Sequence, residues 1–141
     1  KQGEVLCAID LDTVMNSTSL NDFGDAIRSY ANTGEEDDRD LSRVGMSLDM
    51  FRAYTEGYLS QRAKQLTEPE IDNLAFSARY ITYEQVLRFL MDYIDGDTYY
   101  KIKYPEHNLV RTHAQYELLR SMEKQYGTMC DIVRETVAKY R

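Results

Sequence analysis

Two pairs of acids near the start of the chain are spaced for metal chemistry. Asp10 and Asp12 close the stretch Cys7-Ala8-Ile9-Asp10-Leu11-Asp12, and Asp22 and Asp25 lie in Asn21-Asp22-Phe23-Gly24-Asp25-Ala26-Ile27-Arg28. In an extended strand, residues two apart share a face, so Asp10 and Asp12 emerge together. On a helix, residues three apart are neighbours, which sets Asp22 and Asp25 on one side. Two carboxylates about 6 Å apart repel by roughly 3 kcal/mol at an effective dielectric of about 20, and a bound cation is the simplest compensation. Aspartate oxygens suit Mg²⁺, which takes one or two carboxylates and leaves its other positions to water and substrate phosphates. From spacing alone, Asp12, Asp22 and Asp25 also fit helix caps or solvent-facing positions.

The elements that must position these acids are short at first. The apolar run at 5–9, bounded by Gln2-Gly3, predicts a buried strand that ends in the two acids. Ser19, Asn21 and Asp22 are candidate caps of the helix that follows. Residues 32–40 form a polar, mostly acidic loop expected to be solvated and mobile. From Ser47 as cap, Leu48, Phe51, Tyr54, Tyr58 and Leu59 predict an amphipathic helix to about Gln61. Thr67-Glu68-Pro69-Glu70 is a capping box with proline in the first turn. An apolar face from Ile71 to Tyr93 follows it until Asp95-Gly96-Asp97, with a bend expected where Ile81 and Thr82 meet. A connector holding Tyr99, Tyr100 and Tyr104 leads to Asn108, the expected cap of a last long helical pattern; Gly127 lies inside it and either separates two helices or costs about 1 kcal/mol within one.

Composition bounds the function. With 141 residues, 43% hydrophobic and 29% charged, the chain is read as one domain, 1–141, with a sizeable core. A net charge of -7 repels phosphate, which argues against nucleic acid and anionic membrane as partners. Neither a spanning run of about 18 apolar residues nor a signal-peptide pattern is present, so the cytoplasm is the expected location. Cys7 and Cys130 lack the spacing of a zinc site or a disulfide framework and are expected to be small buried side chains.

A resemblance sharpens the reading. The runs Ala8-Ile9-Asp10-Leu11-Asp12-Thr13-Val14-Met15, Asn21-Asp22-Phe23-Gly24-Asp25-Ala26-Ile27-Arg28, Ile81-Thr82-Tyr83-Glu84-Gln85 and Tyr104-Pro105-Glu106-His107-Asn108-Leu109 are similar to the C-terminal part of aminoglycoside-phosphotransferase-like kinases. The nearest branch is that of bacterial N-acetylhexosamine 1-kinases. The resemblance implies a mainly α fold, the helical part of a kinase-like C-terminal lobe, preceded by one or two short N-terminal β-strands. It implies ATP and Mg²⁺ as cofactors of the parent enzyme and a small-molecule sugar as its substrate. Asp10, with Asp12 beside it, would hold the metal on the nucleotide phosphates. Asp22 would brace the catalytic loop. Asp25, Tyr83, Glu84, Arg88, Tyr99 and Tyr100 are the candidates for substrate contact, although tyrosines at helical spacing also fit the core.

The departures from the family pattern are large. Such kinases need a His-x-Asp catalytic loop and a nucleotide-gripping lysine in an N-terminal lobe, whereas the only histidines here are His107 and His113, followed by Asn-Leu and Ala-Gln. Without proton acceptance and positioning, phosphoryl transfer loses orders of magnitude, so the chain alone is expected to be inactive. Three functions compete: an inert segment of a sugar 1-kinase, an independent helical interaction domain with a vestigial acid cluster, and a metal-dependent phosphatase. An unpaired edge on the expected strand would also let two copies pair as a homodimer.

Overall fold

The computed structural model describes residues 14–141 and, ahead of them, Gly3, Cys7, Ile9 and Leu11. Four α-helices make up the described chain: α1, Ser19–Tyr30; α2, Leu48–Arg62; α3, Glu68–Ile94; and α4, His107–Tyr140. A single 3-10 turn, Leu41–Arg43, sits in the loop between α1 and α2.

Local chemistry explains most of the helix ends. Thr18, one residue before the expected caps, accepts the Leu20 N–H with its hydroxyl, and Asp22 and Arg28 fall at the ends of α1 where the helix dipole favours their charges. Ser47 accepts the Met50 N–H, as expected for the cap of α2. The Glu70 carboxylate accepts from both the N–H and the hydroxyl of Thr67, each at 2.8 Å, which starts α3 at the capping box. The break expected at Ile81-Thr82 does not divide α3, which is one helix through both residues, and the buried Thr82 hydroxyl bonds back to the Ala78 carbonyl at 2.7 Å. Nor does Gly127 divide α4, which is one helix of 34 residues. Its first turn is not capped by Asn108. The left-handed Glu106 (φ 69°) reverses the chain into α4, and the Asn108 side chain is buried elsewhere.

Packing follows from which faces are apolar. Glu68 meets Arg141, Arg79 meets Glu123, Thr82 meets Met122 and Asp92 meets Asn108, so α3 and α4 run antiparallel along their length. Arg52 pairs with Glu135 and Glu56 with Lys139, so α2 lies parallel to the second half of α4. α1 crosses α3 at Gly24, where a Cβ would come within 2.5 Å of the Ser77 carbonyl oxygen. Phe23 sits at the centre of the α1–α2 contact, edge-on to Phe51, Tyr54 and Tyr58 at centroid distances of 6.3, 5.7 and 5.2 Å. Leu74, Leu118, Met122, Met129 and Ile132 complete the core.

The expected N-terminal β-strands are overturned. Among the described residues there is no strand, and the only bridge is an isolated antiparallel pair, Asn32 with Met46. Cys7, Ile9 and Leu11 are described and are all exposed, Ile9 by 79%. A short apolar run holds a strand only beside partner strands, and none exists among the described residues. Val5, Leu6 and Ala8 lie outside the described residues. Cys7 is therefore not a buried side chain, and Cys130 is only partly buried. Among the described residues, no helix is long and apolar enough to cross a membrane.

Candidate functional site

Of the four acids singled out at the start of the chain, the structure describes Asp22 and Asp25. Asp10 and Asp12 lie outside the described residues. Asp22, in the first turn of α1, lines a hollow of about 450 Å³ with Val14, Met15, Ser17, Thr18, Ser19 and Asn21. Asp25 is engaged otherwise: it accepts from Arg28 Nε at 2.8 Å, and Arg28 reaches Glu36 at 2.8 Å and Gln115 Oε1 at 3.3 Å. Burial works against the Arg28 charge, but its bonds to Asp25 and Glu36 more than offset that and raise its pKa. Asp25 thus belongs to a tie joining α1, the acidic loop and α4. Among the described residues, no three side chains are grouped to hold a metal ion.

A second set converges at the far end of α3. Arg88, Met91, Asp92, Asp95, Thr98, Tyr99 and Tyr100 line a cavity of about 300 Å³ between the last turns of α3 and the connector. The Arg88 guanidinium lies 5.8 Å from the Tyr99 ring and 5.6 Å from that of Tyr100. The two rings meet edge to face at 4.8 Å, and Phe89 backs Tyr100 at 4.8 Å. Three of the residues singled out for sugar contact are therefore together. Glu84 is only adjacent, 3.9 Å from Arg88 and one turn back on α3. Tyr83 is apart, in a groove of about 170 Å³ with Phe76, Arg79, Tyr80, Leu119 and Glu123.

The cavity wall is held by Asp92, which was not among the expected site residues. Its carboxylate is buried and accepts from the N–H groups of Tyr99 (2.8 Å) and Tyr100 (2.9 Å) and from Asn108 Nδ2 (2.8 Å). Burial opposes its charge, but the amides of Tyr100, Tyr99 and Thr98 and the Asn108 side chain outweigh it, so the carboxyl ionises below its ordinary range. Asn108 also donates to Asp97 at 2.9 Å and accepts from Arg111 at 2.9 Å. With its lone pairs committed, Asp92 positions the two tyrosines and is not set up to take a proton. Its position three residues after Phe89, on the buried face of α3, was the available signal.

The acidic loop is fastened down rather than free. Thr33 and Gly45 pair through their backbone at 2.9 Å, and Ser47 N–H donates to the Ala31 carbonyl at 2.8 Å. Asp37 accepts from Lys103 Nζ at 3.0 Å and from His107 Nε2 at 2.8 Å. The Lys103 N–H donates to His107 Nδ1 at 3.1 Å, so the ring proton sits on Nε2 and points at Asp37. The bonds from Lys103 and His107 lower the Asp37 pKa to about 2. The Tyr104 ring lies tilted against His107 at 4.6 Å, and the Arg39 guanidinium covers Tyr104 at 4.3 Å. An Asp–His pair suggests a general base, but this imidazole is 0% exposed and both its nitrogens are occupied. The pair is a clasp between the loop and the connector.

What the described residues offer, then, is binding and orientation. The cavity combines two aromatic faces, a guanidinium and a carboxylate, a chemistry suited to a polar ring with hydroxyl groups. No protein-family model matches the chain.

Proposed function

We propose that this chain is the C-terminal segment of an ATP-dependent sugar kinase of the N-acetylhexosamine 1-kinase type, supplying one wall of the sugar pocket and inert without the catalytic loop. The observation that carries this reading is that Arg88, Tyr99 and Tyr100 line one cavity of about 300 Å³ although the tyrosines lie eleven and twelve positions after Arg88. In this reading a pyranose ring stacks on Tyr99 or Tyr100, while Arg88 and Asp95 bond its hydroxyl or acetamido oxygens and protons. Asp92 and Asn108 keep the tyrosine backbone fixed, so the pocket is formed before the sugar arrives. Mg²⁺ in the parent would be held by Asp10 with Asp12, and it would neutralise nucleotide phosphate charge. Asp25 bonds Arg28 Nε through Oδ1, away from the residues that line the cavity.

The test is a titration of the ¹⁵N-labelled chain with N-acetylglucosamine and N-acetylgalactosamine. Shifts clustered on Arg88, Thr98, Tyr99 and Tyr100, and lost in Arg88→Ala, are expected. Shifts centred on other residues, or none up to sugar saturation, would overturn the pocket. Reading the encoding DNA upstream of Lys1 tests the other half: a His-x-Asp loop is expected there, and an open reading frame without one would remove the kinase assignment.

A further inference from the structure

α3 carries a second apolar face that the fold does not consume. Its core side holds Ile71, Leu74, Ala78, Thr82, Val86 and Phe89. On the opposite side Phe76, Tyr80, Tyr83, Leu87, Leu90 and Ile94 recur at steps of four, three, four, three and four residues. Five of the six are exposed, from 39% for Leu87 to 71% for Ile94, and Leu90 is half-buried. Two interleaved seven-residue repeats of this kind make the seam into which another helix packs its side chains. Phe76 and Tyr80 already stack on each other at 6.2 Å, and exposed Met91 and Tyr116 widen the strip.

We propose that this face is where two copies of the chain associate, α3 against α3, antiparallel about a two-fold axis beside Gln85. Size supports an interface: eight half-exposed side chains, several aromatic, present on the order of 600 Å². That approaches the roughly 800 Å² per partner of a standard interface and reaches the top of the range for a lone monomer patch. Self-complementarity names the occupant. The first half of the seam is bulky and aromatic, Phe76, Tyr80 and Tyr83, and the second is aliphatic, Leu87, Leu90 and Ile94. An antiparallel two-fold sets position 76 opposite 94, 80 opposite 90 and 83 opposite 87, so every ring meets an aliphatic side chain. A parallel pairing would put ring on ring and leave the aliphatic half underfilled. None of the six carries charge, in a chain of net charge -7.

Light scattering on the full chain, from micromolar to millimolar concentration, reads the association directly. The mass is expected to double from 16.5 kDa, and Leu87→Glu and Tyr80→Lys are each expected to abolish the dimer while leaving the helical circular dichroism unchanged. A monomer at every concentration, or a dimer indifferent to both variants, would overturn the proposal. Orientation is read in a background of Cys7→Ser and Cys130→Ala. There, Tyr83→Cys and Leu87→Cys chains are expected to cross-link when mixed and not when oxidised alone. Cross-linking of each variant with itself would refute the antiparallel arrangement.

Discussion

Gly24 and Ser77 touch where α1 crosses α3: a Cβ at Gly24 would lie 2.5 Å from the Ser77 carbonyl oxygen and 2.9 Å from the Ile81 side chain. A helix carbonyl cannot swing aside, so the helices would have to separate. Gly24→Ala is expected to cost about 1–3 kcal/mol, the usual range for overpacking, and Gly24→Val more. Urea unfolding measures both. A midpoint equal to that of the parent chain would mean that the crossing is not tight.

Asn108 is fully buried and joins Asp92, Asp97 and Arg111. Asn108→Ala leaves the partners without their amide, and a loss of about 1–3 kcal/mol is expected, as for other buried polar groups deprived of a partner. The amide signals of Tyr99 and Tyr100 should move in the same variant, because Asp92 holds their N–H groups. Unmoved signals would mean that Asn108 does not set the cavity wall.

The clasp on the acidic loop has an acid limit. Asp37 has a folded pKa of about 2 against an ordinary value of 3.8. A depressed carboxylate stabilises the fold fully above its unfolded pKa, and that contribution fades as pH falls through the folded one. The stability gap between the parent chain and Asp37→Ala should therefore hold near pH 5 and close between pH 4 and pH 2. Solvent reaches this pair, so the gap itself is expected to be modest. A gap that widens over that interval would contradict the assignment.

Gly127 lies inside α4 with nothing within 4 Å of where its Cβ would stand. Gly127→Ala should add about 0.5–1 kcal/mol by reducing the freedom of the unfolded chain. Differential scanning calorimetry checks the sign, and a lowered melting temperature would show that the position is not open.

Under the proposed function, in a longer protein that carries a His-x-Asp loop, Asp10→Ala is expected to lower turnover severely while the helical spectrum stays intact. Asp25→Asn should cost less than about 1 kcal/mol of stability and spare Mg²⁺ dependence, since its partner is Arg28 at a partly exposed site. Normal turnover in Asp10→Ala would remove the metal role.

How much of this was legible depended on whether a signal was local. Ser47 and the Thr67–Glu70 box act within one turn, and both mark true helix starts. The strand at 5–9 was read from apolarity alone, yet a strand exists only through its neighbours, and Cys7, Ile9 and Leu11 are exposed. Asn108 looked like a cap because asparagine so often is one. Its amide is instead spent on Asp92 and Asp97, residues brought to it by the antiparallel return of α4. The acidic loop looked solvated because two of the partners that fix it, Lys103 and His107, come from a distant part of the chain. Arg88, Tyr99 and Tyr100 were chosen for their chemistry, and their convergence arises from the tight left-handed reversal at Gly96 and Asp97.

The meeting of Arg141 with Glu68 puts the last residue beside the first turn of α3, while the cavity sits at that helix's opposite end. At 1.5 Å per residue, the 27 residues of α3 make a spacer of about 40 Å. A dye or a surface tether fixed at Arg141 therefore stands a full helix length from the cavity at Tyr99, and would report on immobilisation without crowding it.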